Sequence, residues 1–267
     1  MTIFNKTLLI NNMTWPEIQA NINSGKTTII VSVGSTEQHG PHLPIATDEL
    51  LGTALACYVA ELLGNALVAP TIRPGFSPHH MGFPGTITFS AETLSMVIRD
   101  YIESLGRHGF ENIVVLCSHG GNSPTIRLTC QALQAKNPAY QIIPIYNVMQ
   151  YACISQKYFG IEEGFHANKI ETAWMLYLYP ELVQMDKAVA DGSIKDTEIR
   201  DAGILLFHGT VKDISETGVL GNPCSASAKL GKESFNELTK ALAEEIRNLT
   251  KAFRNSQKNK DSSGKHH

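Results

Sequence analysis

The run Thr28-Ile29-Ile30-Val31-Ser32-Val33 leads directly into Gly34-Ser35-Thr36-Glu37-Gln38-His39-Gly40-Pro41-His42-Leu43-Pro44, with Asp48 shortly after. The first part is apolar and rich in β-branched residues. It predicts a strand over 27–33 buried on both faces, as in a parallel sheet. The second part sets a carboxylate, two imidazoles and another carboxylate within twelve residues, at the predicted C-terminal end of that strand. Open α/β sheets bind their ligands there. Such a cluster is poor core material but suits a hard or borderline divalent cation.

Working outward, Thr14-Trp15-Pro16-Glu17 reads as a capping box with proline in the first turn, opening a helix that ends near Gly25. Asp48–Leu63 has helical composition, with Thr47 as N-cap and Gly64 as the stop. Ala66–Ile72 predicts a second strand, followed by a Gly/Pro/His-rich loop from Arg73 to Thr86. Ser90 caps a helix to about Arg107; Asn112–Ser118 is a third buried strand; Asn122 or Ser123 opens the next helix; Gln141–Tyr146 is a fourth strand. Alternating strands and helices predict an α/β fold with a mostly parallel sheet covered on both faces, its strand C-termini aligned on one edge. Further on, Ile170–Tyr179 predicts a helix stopped by Pro180, and Ala226–Phe253 a long helix broken near Gly231. Asp191–Ser215 gives no clear element. We expect one domain over 1–254 and a disordered polar tail over 255–267, whose final Gly264-Lys265-His266-His267 reads as an added extension and is left out of metal reasoning.

The third strand runs into Cys117-Ser118-His119-Gly120-Gly121-Asn122, a second histidine-bearing loop at the same sheet edge. If strands one and three are neighbours, His119 reaches Glu37, His39 and Asp48. A third element is His166-Ala167-Asn168-Lys169-Ile170-Glu171-Thr172, where Glu171 opens an apolar helix and must be paired, capping or bound to metal. Glu37, His39, Asp48, His119 and Glu171 are too many ligands for one tetrahedral ion. They suit two ions about 3.5 Å apart sharing a bridging carboxylate. Mixed nitrogen and oxygen ligation without thiolate favours Zn²⁺, Mn²⁺ or Fe²⁺.

These segments, with Phe83-Pro84-Gly85-Thr86 and Gly218-Val219-Leu220-Gly221-Asn222-Pro223, resemble the creatininase (creatinine amidohydrolase) family, in the family's order over residues 34–231. The resemblance implies a three-layer α/β/α fold, a metal centre, hydrolysis of a non-peptide amide C–N bond and a homo-oligomer, commonly a hexamer. Carried over residue by residue, Glu37 and His119 would ligate one ion, His39 the other, and Asp48 would bridge. The chain departs from the creatinine-hydrolysing members at Gly121, where they carry a metal-binding glutamate. The second site then depends on Glu171, and substrates other than creatinine, a cyclic amide, a formamide or a short peptide-like amide, are favoured. Asn168 also replaces the glycine usual after the His-Ala pair.

Two catalytic histidines are expected outside the ligand set: His166 as a proton shuttle and, in the loop His79-His80, His80 as the better candidate over the metal site. His42 is expected to orient a neighbour, and Trp174 to lie in the core. Two rivals stand beside the hydrolase: a metal-binding scaffold without turnover, and an amidase using Cys117, although no basic group is placed to lower that thiol's pKa.

A 267-residue chain with 43% hydrophobic and 18% charged residues can bury a sizeable core. A net charge of −3 gives no electrostatic case for nucleic acid or an anionic membrane. No apolar run approaches the roughly 20 residues that span a bilayer, and the first residues lack a signal-peptide pattern, so a cytoplasmic enzyme acting on a small-molecule amide is expected. Five scattered cysteines without a Cys-x-x-Cys pair read as reduced thiols. No G-x-x-x-x-G-K-[ST], G-x-G-x-x-G or G-x-S-x-G motif is present, which removes the common nucleotide-binding and serine-hydrolase readings.

Overall fold

The computed structural model describes residues 6–137, 139–146, 148–160, 164–192 and 209–263. Its centre is a four-stranded, all-parallel sheet of β1 (Thr28–Val33), β2 (Ala66–Val68), β3 (Asn112–Cys117) and β4 (Gln141–Ile145) in the order β2-β1-β3-β4. Every residue of β1 and β3 is buried, as strands covered on both sides require. Helices α2 (Thr47–Leu63), α5 (Val148–Tyr158), α6 (Lys169–Leu178) and α7 (Ala228–Ser263) pack together on one face, while α3 (Ala91–Arg107) and α4 (Ser123–Lys136) pack on the other. The result is the expected three-layer α/β/α arrangement. A further helix, α1 (Trp15–Asn23), opens with the Thr14/Glu17 capping box.

Four expectations shift. Thr47 is the first residue of α2 rather than its cap, because its hydroxyl donates to the Pro44 carbonyl (2.6 Å). The second strand stops at Val68; beyond it only Ile72 returns, in an isolated bridge to Val33. Helix α7 is continuous through Gly231, where a Cβ would run into the Ala173 carbonyl of α6. That glycine permits close helix packing and does not break the helix. Helix α7 also runs to Ser263, past residue 255 where the tail was expected to lose structure. Residues 264–267, and 193–208 within the ambiguous stretch, lie outside the described residues. Trp174 is core, as expected: it is buried, packs edge-on against Phe235 and donates to Ser234 Oγ (2.9 Å).

The β1–β3 register fixes the site. Thr28 pairs with Asn112 and Val33 with Cys117, so both strands end together and the two histidine-bearing loops leave side by side. Asn122, fully buried, ties the loops together. Its Nδ2 donates to the carbonyls of Val33 (3.1 Å) and Gly34 (2.9 Å), and its Oδ1 accepts from the Phe76 N–H (2.8 Å). Three sequence-distant loops therefore share one amide. Replacing Asn122 by Ala leaves three backbone groups without that partner, at about 1–3 kcal/mol for each that stays unsatisfied. Denaturant unfolding of Asn122→Ala should show at least that loss; wild-type stability would show that the amide does not hold the loops.

Candidate metal centre

Glu37, fully buried, lies at the middle of the loop cluster. Its Oε1 is 3.2 Å from His119 Nδ1, 3.4 Å from His80 Nε2 and 3.7 Å from His166 Nδ1, while Ser77 Oγ donates to its Oε2 (2.5 Å). Asp48, delivered by the first turn of α2, stands between two imidazoles: Oδ1 is 3.3 Å from His39 Nε2 and Oδ2 is 3.3 Å from His119 Nδ1. Glu171 comes from the first turn of α6. Asn168 caps that helix, its Oδ1 accepting from the N–H groups of Ile170 (3.0 Å) and Glu171 (3.1 Å), while its Nδ2 donates to the Gly164 carbonyl (3.0 Å). This is why asparagine stands at 168. Ala167, just before it, takes φ +49, a left-handed conformation costly for a residue with a Cβ.

Three sets of ligand atoms each lie within 4.8 Å of one another: Glu37, His79 and His119; Glu37, His39 and His166; His39, Asp48 and Glu171. All five predicted ligands are thus brought together, with His166 beside them. Sequence reasoning ranked His80 above His79, but the structure distributes them differently. His80 is 2% exposed, its Nδ1 facing Gln38 Nε2 (2.8 Å) and its Nε2 facing Glu37. His79 is less buried and joins the ligand set. Gln38 was also overlooked, yet its Nε2 lies within 3.0 Å of His166 Nε2 and 3.1 Å of the Gly218 carbonyl. No signal in the sequence marks its side chain as buried. His42 orients a neighbour as expected, Nε2 meeting Thr172 Oγ1 at 2.9 Å.

The electrostatics follow from this packing. Burial would push the Glu37 carboxyl up, but His119, His80 and His166 together hold it well below the usual range. Burial disfavours charge on His39 and His119 too, yet the carboxylates win: Asp48, Glu171 and Glu37 raise His39 to about 9, and Glu37 and Asp48 raise His119 well above its ordinary value. Burial and a charged neighbour lower His166 to about 3 and His79 to about 4, the neighbour being His39 and His119 respectively. Burial raises Glu171 to about 7. Without a cation, protons on two imidazoles offset the buried carboxylates. The Cys117 thiol goes the other way: burial pushes it up to about 11, and its Sγ–H donates to the His119 carbonyl (3.0 Å), which is wrong for a nucleophile.

Buried polar atoms normally find partners. Of the six buried side-chain atoms without a hydrogen-bond partner among the described residues, four, Glu37 Oε1, His39 Nε2, Asp48 Oδ2 and Glu171 Oε2, belong to the cluster. Meanwhile the far nitrogen of His119, Nε2, faces the Phe76 carbonyl (3.1 Å), and that of His39, Nδ1, faces the Glu37 carbonyl (3.2 Å). Ring N–H groups anchored to carbonyls leave the opposite nitrogens for a cation. The residues present fit a divalent metal centre.

A family model described as creatininase, creatinine amidohydrolase, matches residues 11–246. The chain belongs to the creatininase family. This family member is 31% identical over 224 residues to a mycofactocin precursor peptide peptidase of Mycolicibacterium smegmatis, covering 82% of this chain and 84% of that protein. It is 33% identical over 203 residues to a creatinine amidohydrolase of Pseudomonas putida, covering 69% and 76%. A solved structure titled "Creatininase Mn" superposes with a TM-score of 0.76 at 28% identity over 90% of this chain and 98% of that one. The chain is an enzyme, a creatininase-family hydrolase of C–N bonds. Among the described residues, no helix is long and apolar enough to cross a membrane.

Two measurements test how the site is held. Asn168→Ala should lower stability by about 1 kcal/mol through loss of the cap, and should weaken metal binding because Glu171 shifts with it; unchanged metal affinity would separate the cap from the site. Asp191 accepts from Ser215 Oγ (2.9 Å), Thr217 N (2.8 Å) and Thr217 Oγ1 (2.6 Å), pinning the loop whose Leu220 bridges to His166. Burial pushes its carboxyl up, but these donors hold it at about 2, below the ordinary 3.8. A depressed pKa stabilises the fold above the unfolded value and is lost as pH falls toward the folded one. Wild-type stability should therefore fall more steeply than that of Asp191→Asn between pH 3.8 and about 2; parallel curves would contradict this.

Proposed function

We propose that the chain is a metal-dependent amidohydrolase that cleaves the C–N bond of a small cyclic amide or formamide-type substrate other than creatinine. The observation that carries this reading is the convergence of four buried ligand atoms without a hydrogen bond, from Glu37, His39, Asp48 and Glu171, with His119 beside them. Glu37 and His119 would hold one ion and His39 and Glu171 a second, with the Asp48 carboxylate available to both. The ions are Zn²⁺, Mn²⁺ or Fe²⁺, by the ligand chemistry. When bound, such a pair supplies a nucleophilic water at neutral pH and an electrophile for the amide carbonyl.

The chain's own residues manage the proton. His166 Nε2 lies 2.6 Å from the Gln38 carbonyl, so its N–H donates there and Nδ1 is left facing Glu37. Burial keeps His166 neutral, ready to take the proton that the attacking water loses and to deliver it to the departing nitrogen. His80 engages both its ring nitrogens, with Gln38 and Glu37, so it holds Glu37 in place rather than shuttling. Gly121 leaves no carboxylate at the position where creatinine-hydrolysing members have one. A second reading, a short peptide as the amide, is favoured by the likeness to the Mycolicibacterium smegmatis peptidase. We further propose a homo-oligomer, of hexameric order as in the family, working in the cytoplasm.

Chelator-treated protein should lose activity against a panel of cyclic amides, formamides and short peptides, and Mn²⁺ or Zn²⁺ should restore it. Asp48→Ala should lose both metal and turnover. His166→Asn should keep its metal while kcat falls by about 10²–10⁴. An Asp48→Ala protein with full metal content and full activity would sink the assignment, and unchanged kcat in His166→Asn would remove His166 from the proton path.

A further inference from the structure

The turn Pro78–His80 brings His79 against Glu37 and His119. Its ring lies nearly parallel to that of His119, with an interplanar angle of 9° and centroids 5.6 Å apart. With nitrogen–metal distances of about 2.0–2.1 Å, two imidazoles on one tetrahedral ion have centroids roughly 5 Å apart, close to the spacing of this pair. A Glu37 carboxylate oxygen completes the triad, all three ligand atoms lying within 4.8 Å of one another.

Gly121 explains how His79 gets there. A Cβ at 121 would sit 2.5 Å from His119 Nε2, 2.6 Å from the Phe76 carbonyl oxygen and 3.0 Å from His79 Cε1. The His79 ring therefore occupies space that a side chain at 121 would need. Among the described residues, neither ring nitrogen of His79 has a hydrogen-bond partner, whereas His80 is held on both. Adjacent histidines on one turn have divided the work: one braces Glu37 from within, the other faces it from the open side.

Resting on the metal centre proposed above, we infer that His79 is a direct ligand, with Glu37 and His119, of the first ion. Loss of a residue that only orients a ligand costs roughly 10–100-fold in metal affinity; loss of a ligand should cost more. The test is competition with a chromophoric chelator for Zn²⁺, together with the visible spectrum of the Co²⁺-loaded protein, on wild type, His79→Ala, His79→Gln and His80→Ala. Folding is checked by circular dichroism, and His79→Gln keeps the side chain's bulk should His79→Ala fold poorly. Wild type should bind two ions per chain. Both His79 variants should weaken one of them by at least about 100-fold and change the Co²⁺ spectrum, while His80→Ala stays within the roughly 10–100-fold expected of a bracing residue. Wild-type affinity and an unchanged Co²⁺ spectrum in both His79 variants would overturn the ligand role and leave the metal centre standing. Wild type that holds no ion would overturn the centre, and the role of His79 with it.

Discussion

Burying a carboxylate costs the fold several kcal/mol unless charge and hydrogen bonds answer it, and Glu37 has no exposed surface at all. Three imidazoles crowd its Oε1, and the Ser77 hydroxyl satisfies Oε2. The four partners arrive from three loops: Ser77 and His80 from the segment after β2, His119 from the end of β3, His166 from the approach to α6. Those loops can meet only because parallel strands in register all end on one edge. The carboxylate and the sheet thus constrain each other. Its site needs every loop in place, and the loops are held by Asn122, Asn168 and Asp191 through hydrogen bonds that span up to 89 residues of sequence.

This arrangement also accounts for the division of roles among so many histidines. Those with a carboxylate on one nitrogen and a backbone carbonyl near the other, His39 and His119, keep their charge when buried. His166 also has a carboxylate and a backbone carbonyl on its two nitrogens, but Glu37 is 3.7 Å away and charged His39 lies beside it, so burial prevails and it is pushed toward the neutral form, as are His42 and His79. A cation taking the place of the protons on His39 and His119 would claim their ring nitrogens, beside an imidazole, His166, that is already neutral.

Much of this was legible in the sequence because its signals are local. The β-branched runs of β1 and β3, the Ser90 cap of α3 and the capping box of α1 each depend on a few adjacent residues. The motifs around Glu37, His119 and Glu171 declare their chemistry by residue type, and the parallel topology brings them together. What the sequence hid depends on contacts across the chain. Gly231 reads as a helix break until Ala173 is seen against it. Thr47 reads as a cap until its hydroxyl is found on Pro44. His79 looks the lesser of a pair because its place depends on the missing side chain of Gly121, and Gln38 is silent because nothing local marks an amide that meets two imidazoles.

The central claim is that these loops meet around shared cations. Anomalous diffraction from crystals grown with Mn²⁺, recorded on both sides of the metal's absorption edge, tests it most directly. The account predicts two peaks inside the cluster, one against Glu37 and His119 and one against His39 and Glu171, with Asp48 between them. Crystals that bind Mn²⁺ elsewhere, with no anomalous density among these side chains, would contradict it.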